Sequence, residues 1–145
     1  MTIQTQTEYK FFQLPPDTID ALWPAIRQRI VSGVERSSGK LTEKGVFDLL
    51  TSSKWQCWTY WEGSKCLAVV ITRIVVESSG IKSLQAIMAS GDNRDRWQRL
   101  AVETLKNFAK AEGCKLFVLM ARPGWERVFT EFKKTHVMLE LEVAP

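Results

Sequence analysis

Residues 55–89 constrain the fold most. Three stretches, 55–61 (WQCWTYW), 66–77 (CLAVVITRIVVE) and 81–89 (IKSLQAIMA), are rich in β-branched and aromatic residues. They are separated only by the turn signals EGS at 62–64 and SSG at 78–80. Strands joined by such short turns return beside the strand they left, so this block reads as an antiparallel meander. With a first turn of two or three residues, Cys57 is expected opposite Ala68 or Val69. The hairpin then does not bring Cys57 to Cys66.

The meander needs cover, and helical periodicity supplies it on both sides. Upstream, 8–14 (EYKFFQL) reads as a strand stopped by Pro15-Pro16. Asp17 is the expected N-cap of a helix carrying Ile19, Leu22, Trp23, Ile26, Ile30 and Val34 at helical spacing. Pro24 interrupts that pattern and predicts a kink or two short helices. After the loop at 37–39, Thr42 caps a second helix with Val46, Phe47, Leu49 and Leu50 as its apolar content.

Downstream, Gly91-Asp92-Asn93 breaks the chain before a helix over 95–112. Trp97, Leu100, Ala101, Leu105, Phe108 and Ala109 share one face of it, opposite Arg99, Glu103, Lys106 and Lys110. The nearly all-apolar 116–121 (LFVLMA) predicts a strand buried on both faces. A short helix over 125–133 and a last strand over 136–143 (HVMLELEV) complete the order β-α-α-β-β-β-α-β-α-β. That is a single α/β domain over residues 1–145, with 1–7 as a loose N-terminal segment. Its sheet is mixed, mostly antiparallel and of about six strands, with helices on both faces and a parallel crossover over 81–121.

The inventory of reactive side chains excludes several chemistries. His136 is the single histidine, so a site built on two or three His ligands cannot form within one chain, and no metal is expected. Cys57, Cys66 and Cys114 form no C-x-x-C and read as reduced, packed thiols. A net charge of +4, with basic residues spread along the chain, indicates no specific nucleic-acid partner. No apolar run reaches the roughly 18–20 residues of a membrane span, and MTIQTQTEYK is not a secretory signal. Trp55, Trp58, Tyr60 and Trp61 read as core residues or as an aromatic platform, with Trp55 and Trp61 on one face and Trp58 and Tyr60 on the other.

The element order, together with the closing run GC, LFVLMA, RPGWERVFTEF, KKTH and VMLELEV, resembles the GCN5-related N-acetyltransferase (GNAT) fold from residue 8 to 143. The C-terminal pattern GC…RPGW.RV…TH..LE.E is also similar to that of small bacteriophage-encoded proteins with a GNAT-like fold. This second resemblance implies a phage source, with the host bacterial cytoplasm or the virion as its location.

The GNAT resemblance implies that acetyl-CoA is held by the loop before the long helix, here SGDNRDRW. Ser90, Gly91, Asn93, Arg94 and Arg96 are the implied cofactor-binding residues. Backbone N–H groups at a helix start attract pyrophosphate, and arginines add direct contacts. The loop departs from the family's glycine-rich pattern in having one glycine and two acids, Asp92 and Asp95. The general base implied on the fourth strand is missing there, and Glu77 and Gln85 are the nearest substitutes. Phe129 stands where the family often has a tyrosine acid, and phenylalanine has no proton to give.

Apart from the resemblance, Arg122, Trp125 and Arg127 cluster in a turn after an apolar strand and are candidates to hold an anion or a partner's acidic group. Cys114 with His136 is a weaker candidate nucleophile pair. Two functions stay open. One is acetyl-CoA-dependent transfer to an unknown amine, using an altered pyrophosphate loop and no clear acid–base pair. The other is a non-catalytic phage virion or host-interaction protein that uses the fold as a binding module.

Overall fold

The computed structural model describes residues 9–121 and 124–144. Its strands are β1 (Tyr9–Leu14), β2 (Gln56–Glu62), β3 (Lys65–Val76), β4 (Lys82–Gly91) and β5 (Leu116–Leu119). Its helices are α1 (Ile19–Glu35), α2 (Glu43–Thr51) and α3 (Arg94–Ala111), with short 3-10 turns at Pro16–Thr18 and Trp125–Arg127. The strands lie side by side in chain order, antiparallel from β1 to β4 and parallel between β4 and β5. The meander and the parallel crossover are thus present.

The sheet divides two cores. Ile19, Ile26 and Ile30 of α1 and Val46 and Leu50 of α2 pack on Cys57, Val69, Ile71 and Met88. On the opposite face, Trp97, Ala101, Leu105 and Ala109 of α3 pack on Phe11, Trp58, Tyr60, Leu84 and Ala86. β3 is covered on both sides, and so its sequence is an almost unbroken apolar run. The aromatic stretch divides as its alternation requires. Trp58 and Tyr60 are buried under α3, while Trp55 and Trp61 pack on the α1–α2 side. Trp58 donates its indole N–H to Thr72 Oγ1 at 2.9 Å, which satisfies the polar atom that burial would otherwise strand. The cluster is therefore core and not a platform.

Two local devices set the register. β4 carries one extra residue, Ile87, because Ile71 faces Met88 while Thr72 faces Ala86. The bulge moves Met88 onto the α1 face. There α1 comes so close that a Cβ on Gly33 would lie 1.9 Å from Met88 Sδ, so only glycine fits without displacing that side chain.

Several local expectations are corrected. Cys57 faces Ile71, because the first turn is Gly63-Ser64 and β3 carries an extra residue, Leu67, between its paired Cys66 and Ala68. Pro24 sits inside one continuous helix, α1. Asp17 lies within the Pro16–Thr18 turn and Thr18 precedes α1, because Pro16 starts a turn one step early. Thr42 does cap α2, accepting the Gly45 N–H at 3.0 Å.

The closing region differs most. β5 is an edge strand with Leu116 exposed, not a strand buried on both faces. The expected helix over 125–133 is reduced to the Trp125–Arg127 turn, and Phe129 and Phe132 face each other beside β5. Residues 136–143 form no strand, so the described sheet has five strands where the pattern suggested about six. An alternating pattern specifies faces, but a strand also needs a hydrogen-bonding partner, and this segment has none among the described residues. No helix among the described residues is long and apolar enough to cross a membrane.

Candidate functional site

β4 and β5 pair only from Ser83–Leu116 to Ala86–Leu119, and a last bond runs from the Met120 N–H to the Ala86 carbonyl at 3.0 Å. β4 then continues to Gly91 without β5. The two parallel strands part at their C-terminal ends, beside the start of α3. In α/β folds that position favours ligand binding.

The loop at this opening is built mainly by contacts within the molecule. Ser90 is buried. A Cβ on Gly91 would lie 2.5 Å from the Leu67 carbonyl oxygen and from the Ala68 Cβ. Close approach of β3 therefore accounts for the loop's single glycine. The Asp92 N–H donates to the Leu67 carbonyl at 3.0 Å. The Arg29 guanidinium donates to Asp92 Oδ2 at 3.0 Å and holds that carboxyl below its ordinary range. Asp92 thus pairs with a neighbour and does not cap α3. Asn93 precedes the helix in the left-handed region, φ 54°, and its side chain makes no cap bond. The Trp97 indole N–H donates to the Asp92 carbonyl at 2.9 Å, fixing the first turn from the core side.

The two loop arginines have different roles. Arg96 turns away to Glu62 at the end of β2, at 2.6 Å. Arg94 lines the opening together with Gln98, one turn further along α3. Arg94 Nε and Gln98 Oε1 are both shielded from solvent and have no hydrogen-bond partner. A buried donor and acceptor left unmatched cost about 1–3 kcal/mol each, and such groups mark places where a ligand or water completes the bonding. Gln98 was not among the sequence candidates, although its position four residues after Arg94 was the available signal.

Trp125 and Phe129 also line the opening, with ring centroids 5.6 Å apart. With them in place the cavity is only about 60 Å³. Of the turn candidates, Trp125 lines this opening, Arg127 is exposed, and Arg122 lies outside the described residues. Glu77 is exposed in the β3–β4 turn, at the opposite end of β4 from the loop, and its N–H donates to the Ile81 carbonyl. Gln85 accepts from Arg73 Nε at 2.9 Å. Neither lines the opening.

Burial disfavours the thiolate at all three cysteines. Burial pushes Cys57 up to about 12 and Cys66 up to about 11, and it raises Cys114 as well. His136 is exposed and its Nδ1 meets Thr135 Oγ1 at 2.9 Å. A larger cavity of about 250 Å³ lies at the other end of the sheet, lined by Gln13, Trp55, Gln56, Cys57, Phe108 and Glu112 among others, and none of the cofactor-binding or anion-binding candidates borders it.

Comparison of the sequence with protein-family models and with curated proteins gives no match. Comparison of the structure with solved structures does. An aminoglycoside acetyltransferase from an uncultured soil metagenomic sample superimposes with a TM-score of 0.67 at 11% identity, covering 94% of this chain and 97% of that one. A ribosomal-protein-alanine N-acetyltransferase from Brucella melitensis biovar Abortus 2308 gives 0.65 at 13% identity, covering 94% and 99%. Glucosamine-6-phosphate N-acetyltransferase from Arabidopsis thaliana gives 0.63 at 15% identity, also covering 94% and 99%. The parted strands, the long helix starting at the parting and these likenesses agree: the chain has the GNAT-like fold.

Proposed function

We propose that this protein is N-acetyltransferase-like and takes an acyl-CoA at the parting of β4 and β5. The observation that carries the reading is the unmatched pair there, Arg94 Nε and Gln98 Oε1, at the start of α3 and beside the opening. The first N–H groups of a helix have no partner within it, and the helix dipole adds positive potential. Arg94 with those groups would hold the phosphate end of the ligand, while Arg96, paired with Glu62, serves the loop's architecture. The thioester arm needs more room than about 60 Å³, so Trp125 and Phe129 must give way on binding.

When bound, the acyl-CoA supplies an activated thioester carbonyl. This chain supplies position and little else. Among the described residues no carboxylate lines the opening, and Phe129 cannot donate a proton. An acceptor amine must therefore arrive neutral, and the rate is expected to rise with pH through the amine's own pKa. Positioning alone can contribute roughly 7–11 kcal/mol to such a step.

Calorimetric titration with acetyl-CoA and with free coenzyme A is the direct test. Saturable binding, weakened about tenfold or more by Arg94→Ala and little changed by Arg96→Ala, is the expected result. A tenfold loss corresponds to about 1.4 kcal/mol, within reach of one charge-assisted contact.

A second reading rests on Trp125 and Phe129 filling the opening. In it, the protein is a non-catalytic binding module, and the resemblance to phage proteins suggests a virion component or a host protein as its partner. Absence of binding by either coenzyme at about millimolar concentration, the weakest range worth measuring, would favour this reading over the first.

A further inference from the structure

The cavity of about 250 Å³ at the far end of the sheet is larger than the opening between β4 and β5, and the two share no lining residue. It lies where β1 ends, β2 begins and α3 closes, whereas the opening lies where α3 starts. From Arg94 to Glu112 the helix climbs about 27 Å at ~1.5 Å per residue, so the two places are far apart.

The polar groups of this cavity are held in place and left unmatched. Trp58 donates its indole N–H to Thr72 Oγ1 at 2.9 Å, and Thr72 donates its hydroxyl to Gln56 Oε1 at 2.8 Å. An amide oxygen can only accept, so this chain of bonds fixes the Gln56 side chain with its oxygen on Thr72. Both of its amide N–H donors then have no partner among the described residues, and Gln56 lines the cavity. Trp55 and Gln13 line it too, and neither the indole N–H of the one nor the side-chain amide of the other has a partner among the described residues. Glu112, the residue after α3, adds an acceptor whose carboxylate makes no ion pair among the described residues. Lys82 donates to the Glu112 carbonyl oxygen at 2.7 Å, which sets an ammonium near that carboxylate and offsets its charge. Leu14 and Phe108 supply apolar wall.

These groups select against most ligand classes. A cation would meet Lys82, and an anion would meet Glu112. A hydrocarbon would take Gln56 and Trp55 out of water with their donors unmatched. A hydroxyl both donates and accepts, and a ring that carries several hydroxyls also has C–H faces for the apolar wall. We propose that this cavity binds a small neutral polyhydroxy compound, a single sugar ring in size. Its volume falls just below the roughly 300–1,000 Å³ of sites for drug-sized ligands, which suits one ring and not a chain of them.

The inference does not rest on acyl-CoA binding. Nitrogen–proton NMR of the full chain, titrated with glucose, galactose, mannose and ribose up to about 10 mM, tests it. The Trp55 indole and the Gln13 and Gln56 amides each give their own signal. At least one sugar should shift these signals saturably and leave the Trp97 indole, beside the opening, unmoved. Glu112→Gln, at an exposed position, should keep the melting temperature and weaken binding about tenfold, the worth of one charge-assisted bond. Trp55→Phe keeps an aromatic ring, removes the N–H, and should weaken binding severalfold. No saturable shift with any of these sugars would overturn the proposal. So would cyclohexanol binding as tightly as the best sugar, which would make the cavity a merely apolar hole. Ethanolamine binding more tightly than the best sugar would also overturn it, because Glu112 would then be reading a cation.

Discussion

The sheet from β1 to β4 and the region from β5 to the C-terminus are built from similarly apolar sequence and end up under opposite conditions. In the first, β2 and β3 have a partner on each side, and Val69, Ala68 and Ile71 have no measurable exposure. In the second, one four-residue strand has, among the described residues, a partner on one side only, and Leu139 is 91% exposed. Alternation assigns a residue to a face, whereas pairing decides whether the face exists. Short turns guarantee pairing in the meander, because the partner is the next segment along the chain. Beyond β5 no following segment among the described residues pairs with the edge.

The sharpest test of this contrast is one truncation made in each region. Ile71→Ala should lower stability by about 2–5 kcal/mol through lost burial and an unfilled cavity. Leu139→Ala, measured at dilution, should change it by no more than about 0.5 kcal/mol. Denaturant melts of the two variants side by side decide the matter, and equal losses would mean that the tail is part of the monomer's core.

A smaller effect should come from Gly91→Ala at the border between the regions. The added Cβ would meet the backbone of Leu67 and Ala68, which cannot swing aside, and the expected loss is about 1–3 kcal/mol. If thermal melting shows no loss, close approach of β3 does not explain that glycine and a ligand role regains ground.

The smallest effect at neutral pH concerns the thiols. In the folded chain, burial raises Cys57 to about 12 and Cys66 to about 11 from an ordinary 9.0. The native state thus holds these protons more tightly than the unfolded state. Their contribution to stability is complete below pH 9 and declines as pH rises from there toward 11–12. Denaturant midpoints should be flat across neutral pH on this account and fall above pH 9, less steeply in Cys57→Ala.

The fold was legible in the sequence because local signals and long-range pairing coincide in it. Turn residues at 62–64 and 78–80, Thr42 at a helix start and the apolar stripe of α3 each specify one outcome. The site was legible only in position. Its location follows from where the long helix begins, but the different roles of Arg94 and Arg96 depend on Glu62, which is distant in sequence. Likewise the close approach at Gly91 depends on Leu67 and Ala68 of β3, which are distant in sequence. The single extra residues in β3 and β4 left no mark in composition, and they shifted every facing pair beyond them.

The closeness of α1 to β4 at Gly33 and Met88 also sets a chemical vulnerability. Conversion of that thioether to its sulfoxide adds a polar oxygen and a new stereocentre to a side chain that already fills the gap between helix and sheet. The native packing shields the sulfur, so an oxidant reaches it chiefly in molecules that have already opened. Once the sulfur is oxidised, the same seam cannot repack until the sulfoxide is reduced. The glycine that lets helix and sheet meet so tightly therefore also makes the reduced state of this one methionine a condition for the seam to close.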